Sequence, residues 1–427
     1  MLTQIAAKGG SMTPSELKRH VEEAVQRTPV IDIHTHLYPA SFEELCLWGI
    51  DELLTYHYLV AELFRSSDVK PSDFRALSKS QQADLIWDAL FVKNTPLSEA
   101  TAGVVAVMTR LGLDPARPDL REARDYFASL DLERHVARVI ELAQVSELVM
   151  TNDPFHARER KLWEQNALCP PRFRAALRLD PLLNDWDAAE AAMAAQGYNV
   201  YEQLSPVTLR ETRRFLDNWI RLLRPVYLAA SLPFDFTYPN DSPRTLLLRE
   251  AVFPTCREHR LPFATMIGVA RGANPELGDA GDSLGQADTK AVERIALENP
   301  EVRFLVTLLA RENQHALCVA ARKFRNLMPF GCWWFLNNPS IVKEITRERL
   351  EMLGASFIPQ HSDARILEQL IYKWVHARRT VSQALCDSYE RLVSDGYRLT
   401  RQQIDGDVQR LFSGNFQNWV GLTNQGR

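Results

Sequence analysis

The chain has 427 residues, of which 46% are hydrophobic and 24% are charged, proportions that are ordinary for a globular protein. A length of this order suits one large barrel domain with insertions, or two ordinary domains. The net charge of −4 gives no reason to expect nucleic acid or an anionic membrane surface as a partner. No apolar run approaches the roughly 20 residues that cross a bilayer, so we expect no membrane span.

The N-terminal segment, residues 1–27, is predicted to contain a short apolar patch and a helix, without the apolar core and cleavage site of a secretory signal. Met12 offers an alternative start. Six cysteines are scattered without a C-x-x-C pair, at positions 46, 169, 256, 318, 332 and 386. This distribution favours a reducing cytoplasm over a disulfide framework.

Short apolar runs, many of them β-branched, alternate with amphipathic stretches along the chain. We predict strands at 30–33, 147–151, 173–179, 226–232, 263–269, 302–308, 331–336 and 355–359. Helical patterns include 208–223, 289–298, 341–353 and a closing helix at 405–418. Eight strands alternating with helices predict the α/β class and a distorted TIM-type (β/α)8 barrel, with 28–427 as the barrel domain.

Residues 41–143 interrupt this alternation with a long stretch of helical patterns, at 41–65, 79–90, 98–111 and 119–143. We interpret the stretch as a large helical insertion after the first strand. It leaves the barrel through the first βα loop, at the face where barrel enzymes carry their active sites.

His34 and His36 follow directly on the first predicted strand, in the sequence IDIHTH. Residues two apart in a strand point to the same side, so the two imidazoles are presented together, as two ligands of one divalent metal require. The alternative is a pair of polar residues at a strand end. The pattern resembles the first strand of the amidohydrolase superfamily.

A second group of polar residues, Gln360 to Arg365, follows the last predicted strand. The Asp363 carboxylate is suited to bind a metal or move a proton. The planar guanidinium of Arg365 matches the two oxygens of a carboxylate. A helix N-cap at Ser362 or Asp363 is the alternative interpretation, and both roles are compatible.

Five stretches in order along the chain resemble the uronate (glucuronate) isomerase family of that superfamily. They are 34–36 (HTH), 56–58 (YHY, family D-H-Y), 266–285 (MIGVARGAN…GDSLG, family H-I-G-A-x-R-N-N-N…G-x-D-S-x-G), 333–337 (WWFLN, family W-W-F-N-D) and 362–365 (SDAR, family T-D-S-R). Tyr56 stands where the family has aspartate, and Met266 where it has histidine. A thioether is a poor ligand for a divalent ion of this kind.

The resemblance implies isomerisation of D-glucuronate to D-fructuronate, of D-galacturonate to D-tagaturonate, or both. It implies one divalent metal, zinc by expectation, held by His34, His36 and Asp363; with Met266 in place of histidine the metal is expected to be weakly bound or not essential. A proton must leave C2 and arrive at C1. Tyr58 and Asp363 are the alternative residues for that transfer, and Arg365 is expected to favour the anionic form of either.

Further residues are expected to contact the sugar acid. Arg271 and Arg178 are candidates for its carboxylate and hydroxyls, although Arg174 competes with Arg178 for that role. One ring of the pair Trp333 and Trp334 is expected to line the pocket, and the other to lie in the core. His57 is expected to contact the substrate or a catalytic residue.

Two other functions remain open from the sequence. One is a mononuclear amidohydrolase that attacks an amide, lactone or ester with metal-bound hydroxide. The other is a barrel that binds a sugar acid without turnover. In each case the partner is a small molecule, and a homo-oligomer is expected because barrels of this size commonly associate.

Overall fold

Seven parallel strands form the wall of a barrel in the computed structural model, which describes residues 12–422. The first eleven residues of the predicted N-terminal segment and residues 423–427 lie outside the described part. The strands are β1 Val30–Thr35, β2 Val145–Asn152, β3 Phe173–Arg178, β4 Leu228–Pro233, β5 Phe263–Ala270, β6 Ser283–Leu284, β7 Phe304–Leu308 and β8 Leu327–Pro329. They pair in the order β1-β2-β3-β4-β5-β7-β8, and the two-residue β6 pairs antiparallel with β5 outside this path. The predicted α/β barrel class is confirmed.

The eighth position of the barrel is filled by an irregular segment, residues 358–364, instead of a strand. Phe330 makes one parallel bridge with Ile358. Beyond it, the backbone amides of Asp363 and His36 donate to the carbonyl oxygens of His34 and Ala364, at 3.1 and 2.8 Å. This segment therefore closes the barrel between β8 and β1.

Two predicted strands are wrong. Residues 331–336 form a loop and a 3-10 turn (Trp334–Leu336), because Gly331 and Trp334 have φ of +65° and +46°, outside the strand region. Residues 355–359 contribute only the bridge at Ile358. Pro359 follows it and has no amide hydrogen with which to extend a ladder.

Twenty α-helices surround and extend the barrel within the described residues. They are α1 Pro14–Arg27, α2 Ile50–Leu54, α3 His57–Ser66, α4 Pro71–Arg75, α5 Lys79–Trp87, α6 Glu99–Leu111, α7 Arg121–Ala128, α8 Leu132–Ala143, α9 Ala157–Glu164, α10 Asp180–Asn184, α11 Trp186–Ala195, α12 Pro206–Leu223, α13 Pro243–Leu247, α14 Phe253–His259, α15 Thr289–Glu298, α16 Gln314–Ala321, α17 Pro339–Leu353, α18 Gln369–Ser394, α19 Arg401–Gln409 and α20 Asn415–Val420. π-helical turns at Asp88–Val92, Leu248–Val252 and Arg410–Gly414 continue three of them. No helix in this range is both long and apolar enough to cross a membrane.

Helices α2 to α8 all lie between β1 and β2, where the sequence predicts helical patterns. Two of them, α6 and α8, pack against α18, the long helix that follows the closing segment. The contact is close at Gly103 of α6, where an added Cβ would lie 2.6 Å from the ring of Tyr372. A side chain at position 103 would separate the two helices, so glycine fixes α6 against α18.

The barrel strands are buried almost throughout, as parallel strands covered by helices must be. A fully buried arginine, Arg349, compensates for the missing eighth strand. Its Nη1 donates to the carbonyl oxygen of Gly331 at 2.9 Å, and its Nη2 donates to Gln314 at 3.1 Å. The first bond satisfies the backbone acceptor of Gly331 in the loop after β8, and the second is to the side-chain amide oxygen of Gln314.

Candidate active site

The three predicted metal ligands converge at the carboxyl end of β1. His34 is the fifth residue of that strand and His36 follows its last residue, so their rings project to the same side. The Nε2 atoms of His34 and His36 lie 3.5 and 3.4 Å from Oδ1 of Asp363. The three side chains therefore form one cluster. It joins two residues at the end of the first strand to one residue of the segment that closes the barrel.

The position of Asp363 is fixed by the barrel closure. Its φ of +52° lies in the left-handed region, which aspartate and asparagine enter more readily than most residues. The residue before Asp363 is Ser362, and its amide donates a hydrogen bond to the buried carboxylate of Asp32 at 3.0 Å. Asp32 also accepts from the indole of Trp374 at 2.8 Å, which ties the closing segment to α18.

Hydrogen bonds on the far side of each imidazole assign its tautomer. Nδ1 of His36 lies 2.9 Å from the hydroxyl of Thr151, which itself donates to the carbonyl oxygen of Thr35 and so accepts from the ring. Nδ1 of His34 lies 3.5 Å from the hydroxyl of Tyr227, which donates to Ile33. Both rings then carry hydrogen on Nδ1 and direct an Nε2 lone pair at Asp363.

This cluster fits a divalent ion. Lone pairs of two imidazoles and a carboxylate face one another within 4.8 Å, an arrangement that a cation between them stabilises. A tetrahedral ion bonded at about 2.0–2.2 Å holds its ligands roughly 3.4 Å apart, close to the two separations observed. Burial lowers the pKa of His36 to about 3, which keeps its ring neutral and able to bind metal. In residues 12–422, no other group of three His, Cys, Asp or Glu side chains lies close enough to share an ion.

Met266 does not extend this ligand set. It lies buried in the middle of β5, beside Ser231 of β4 and Thr307 of β7. Its thioether is a poor ligand for a hard or borderline ion. The candidate metal centre therefore rests on two imidazoles and one carboxylate.

His361 is a further buried imidazole beside the cluster. Its ring centroid lies 5.3 Å from that of His34, and both of its nitrogens are buried without a hydrogen-bond partner in the described chain. Burial lowers its pKa to about 3. Gly331 makes room for it, because a Cβ at that position would overlap Nδ1 of His361.

The YHY stretch begins α3 and faces the WWF stretch. The ring of His57 lies 5.7 Å from that of Trp334 in an edge-on arrangement. Nε2 of His57 and Nε1 of Trp334 are both buried without a partner among the described residues, so both are available to a ligand. Trp333 is 4% exposed and packs in the core, whereas Trp334 is only partly buried.

Tyr58 lies next to His57 and is packed among other ionisable groups. Burial, with Tyr56 and Asp363 nearby, raises its pKa well above the ordinary value for a phenol. The expectation that Arg365 favours a phenolate at this position is therefore wrong. At neutral pH the Tyr58 hydroxyl is a hydrogen-bond donor, which limits it as a base.

A buried lysine contacts the other side of Tyr58. Nζ of Lys373, on α18, lies 5.3 Å from the Tyr58 ring centroid and 5.0 Å from that of Tyr372. The carboxylate of Glu99 on α6 lies 3.6 Å from the same ammonium group. Lys373 thus connects α18 to Glu99 on α6 and to the ring of Tyr58 on α3.

Arg178, at the carboxyl end of β3, lines a cavity of about 710 Å³ over the ends of β2 to β5. Nε of Arg178 donates to Asp180 at 2.8 Å, and Asp180 accepts from the amide of Ser231 at 2.8 Å. Arg174 is paired with Glu147 at 2.6 Å and does not line this cavity. Of the two competing arginines, the structure therefore brings Arg178 to the cavity.

The remaining two arginines lie at the edges of the site. Arg271 also lines the 710 Å³ cavity and pairs with Asp282, but its side chain is 63% exposed. Arg365 is partly buried in a neighbouring cleft with Tyr56 and His57. Its positive charge contributes to lowering the pKa of His57, to about 4, after the larger effect of burial.

One solved structure is similar to this chain along nearly its whole length. It is a uronate isomerase from Bacillus halodurans C-125, with 50% sequence identity, a TM-score of 0.94 and coverage of 96% of this chain and 98% of that one. The chain belongs to the uronate isomerase family. No protein-family model and no curated protein sequence matches it.

More distant solved structures share the fold of this uronate isomerase family member. One is a uronate isomerase from Thermotoga maritima, with 14% identity, a TM-score of 0.77 and coverage of 95% of this chain and 97% of that one. Another is a glucuronate isomerase from Caulobacter crescentus, with 16% identity, a TM-score of 0.77 and coverage of 100% and 98%. At these identities the likeness concerns the barrel architecture alone.

Several residues of the candidate active site were not predicted from the sequence. Asp180 pairs with Arg178, and Asp153 shares the cavity with both. His361 stands in the QHSDAR stretch, and Lys373 lies on the following helix. Asp180 and His361 each lie two positions from a predicted site residue at a strand end or closing segment, which is a signal that could have found them. Lys373 has no such signal, because α18 brings it to the site through tertiary packing.

Proposed function

We propose that the protein is a uronate isomerase that converts D-glucuronate to D-fructuronate, D-galacturonate to D-tagaturonate, or both. The observation that carries this proposal is the 50% identity, over 96% of the chain, to a solved uronate isomerase. The cluster of His34, His36 and Asp363 supports it, and so does the cavity bordered by Arg178, whose positive charge acts on the His36 ring. That cavity, at about 710 Å³, has the size of a small-molecule site.

The reaction is an isomerisation, so it needs no external oxidant or reductant. In the open-chain aldose, the C2 proton leaves to a base and a proton is delivered to C1, while the O2 hydroxyl loses its proton and the O1 carbonyl gains one. The intermediate is an enediol. The site must therefore supply one base near C2 and groups that stabilise negative charge at O1 and O2 as it develops.

Asp363 is the residue we assign to the C2 proton. Tyr58 is held as a neutral phenol by its raised pKa, which favours the carboxylate as the base and the phenol as a hydrogen-bond donor to a sugar oxygen. His57 and Trp334 offer two further unpartnered ring nitrogens for hydroxyl groups. We also assign to Asp363 the assistance of ring opening.

A divalent ion, which we propose to be zinc, would be held by His34, His36 and Asp363. It supplies positive charge beside the sugar oxygens when bound. With three protein ligands and Met266 in place of a fourth, we propose that its binding is weak enough for the residual rate without metal to be measurable.

The substrate carboxylate is assigned to Arg178 and Arg365, with Arg271 at the outer edge. Arg178 is partly buried, and Asp180 fixes its guanidinium in one orientation, so little side-chain entropy is lost on binding. Arg271 is exposed and already paired, which suits a contact to an outer hydroxyl.

The test is direct: purified protein is incubated with each uronate, and ketose formation is followed. Turnover in deuterium oxide is expected to leave deuterium at C1 of the ketose, because the transferred proton exchanges with solvent. Asp363→Asn and Arg365→Met are expected to lose activity, whereas Arg322→Gln, on the exposed end of α16, is the matched control. Failure to isomerise either uronate would reject the proposal, and incorporation of solvent oxygen into an amide, lactone or ester product would favour the hydrolase.

We also propose a cytoplasmic location and a homo-oligomer. All six cysteines, in the described part of the chain, are free thiols, which supports a reducing compartment. Light scattering of the purified protein tests the oligomer, and cell fractionation tests the location.

A further inference from the structure

A second cavity, of about 480 Å³, lies at the opposite end of the barrel from the catalytic cluster. It is enclosed by α1, α18 and the end of α8, and it reaches Gln144, which directly precedes β2. The catalytic cluster lies at the other, carboxyl end of the strands. The two cavities therefore share no wall residue.

The lining of this cavity is positively charged. It includes five cationic side chains, from Lys18, Arg110, Lys343, Arg378 and Arg379. Three acidic side chains, from Glu22, Asp387 and Glu390, also line it, which leaves an excess of two positive charges in a chain whose net charge is −4. An anion entering the cavity gains from this local excess.

Arg378 is a buried cation without a counterion. Its residue is 3% exposed, and its Nη1 and Nη2 donate to three carbonyl oxygens, those of Val25, Thr28 and Gln144. No carboxylate of the described chain forms an ion pair with it, and its Nε has no acceptor. Burial lowers its pKa to about 10. Burying a cation in this way is costly unless an anion compensates it.

One helical turn further along α18, Ser382 adds a second unsatisfied donor. Its hydroxyl is buried, lines the cavity and has no hydrogen-bond partner among residues 12–422. Residues four apart on a helix share a face, so Ser382 and Arg378 line the cavity from the same side of α18. Arg379 and Arg110 are exposed at the edge of the cavity and have no ion pair within the described part of the chain.

We propose that this cavity binds a phosphate dianion, either inorganic phosphate or the phosphate group of a small ester. A dianion matches the excess of two positive charges. Phosphate oxygens accept from guanidinium and hydroxyl donors together. The volume exceeds what one phosphate fills, which leaves room for a small organic group on the ester. The inference is independent of the reaction proposed for the catalytic cavity.

Isothermal titration calorimetry of the full chain with inorganic phosphate, and separately with a hexose 6-phosphate, tests the proposal. We expect saturable binding of one anion per chain by at least one of the two probes. Ser382→Ala and the double variant Arg110→Gln/Arg379→Gln are each expected to weaken it about tenfold, since a hydrogen bond to a charged group contributes roughly 1.5–3 kcal/mol. These positions avoid Arg378, whose replacement would also remove three structural hydrogen bonds.

Two further variants separate this cavity from other anion sites. Arg322→Gln removes an exposed arginine elsewhere and is expected to leave the affinity unchanged. Arg365→Met removes a cation of the catalytic site and is also expected to leave it unchanged. If neither probe binds, if binding falls only with Arg365→Met, or if Arg322→Gln weakens it as much as the cavity variants, the proposal is rejected.

Discussion

The backbone amide of Asp363 donates a hydrogen bond to the carbonyl oxygen of His34 at 3.1 Å. Two candidate ligands of one ion are thus neighbours through their backbones as well as their side chains. The reciprocal bond from the amide of His36 to Ala364, at 2.8 Å, fixes the register of the closing segment against β1. The backbone of the cluster is therefore positioned by barrel closure.

Asp363→Asn tests this conclusion. Asparagine tolerates the left-handed φ of +52° as well as aspartate does. We therefore expect the free energy of unfolding, measured by thermal denaturation, to change by less than about 1 kcal/mol. Turnover of uronate should fall by a factor of at least about 100, the lower range for loss of a general base. A folded variant with normal kcat would remove Asp363 from the chemistry.

Thr151→Val is predicted to weaken metal binding without removing a ligand. The valine cannot accept the Nδ1 hydrogen of His36, so the ring loses the bond that orients it. Replacing such a partner typically costs 10–100-fold in metal affinity, and competition with a chromophoric chelator measures the change.

Thr307→Val is the matched control for that variant. Thr307 is equally buried on a barrel strand, but its hydroxyl has no hydrogen-bond partner in the described chain. Its replacement should leave the metal affinity unchanged and unfolding nearly unaffected. Equal losses in the two variants would mean that the bond to His36 is not what orients the ring.

Gly331→Ala is predicted to destabilise the protein more than Gly112→Ala. Both glycines have positive φ, +65° and +81°, and at Gly112 the backbone is left-handed helical, which costs alanine about 1–2 kcal/mol. At Gly112 an added Cβ meets nothing within 4 Å, whereas at Gly331 it overlaps the ring of His361. Overpacking of this kind adds about 1–3 kcal/mol. Urea unfolding of the two variants measures the difference, and equal values would show that the His361 ring moves without cost.

Lys373→Met is predicted to reduce kcat about tenfold while KM changes little, because the loss of a buried cation over the Tyr58 ring costs roughly 1–2 kcal/mol of positioning. Lys373→Arg should restore part of the rate, since a guanidinium also stacks on an aromatic ring. Lys343→Met, on α17 and away from Tyr58, serves as the control. A rise in KM with unchanged kcat would show instead that Lys373 assists substrate binding.

The sequence predicts most of the barrel because its strands are buried on both faces and form continuous apolar runs. It fails at 331–336, where Trp333, Trp334 and Phe335 look like strand residues but the positive φ of Gly331 and Trp334 turns the chain. Apolar composition does not distinguish a buried strand from a buried loop whose backbone is held by Gln360 and Arg349. The domain limits at residues 28, 41 and 143 stay predictions.

The site is predictable where its residues share a strand end or a short motif, as His34, His36 and Asp363 do. The ionisation of Tyr58 is not, because it depends on burial and on neighbours from the closing segment, α6 and α18. Arg174 and Arg178 lie four apart in β3 and so point to the same side of the strand, and they differ in the end of the strand that they occupy. Arg178 lies at the carboxyl end, where the cavity is, whereas Arg174 lies near the amino end with Glu147 of β2 as its partner.

Closure of the barrel by residues 358–364 also has a consequence for biosynthesis. During translation, His34 and His36 leave the ribosome early, and Asp363 follows only after most of the chain has been made, tens of seconds later at about 5–20 residues per second. Until then, the two imidazoles lie in an incomplete sheet without the carboxylate. The metal centre therefore cannot nucleate co-translational folding, and apolar packing of the earlier strands must stabilise the nascent barrel until residues 358–364 close it.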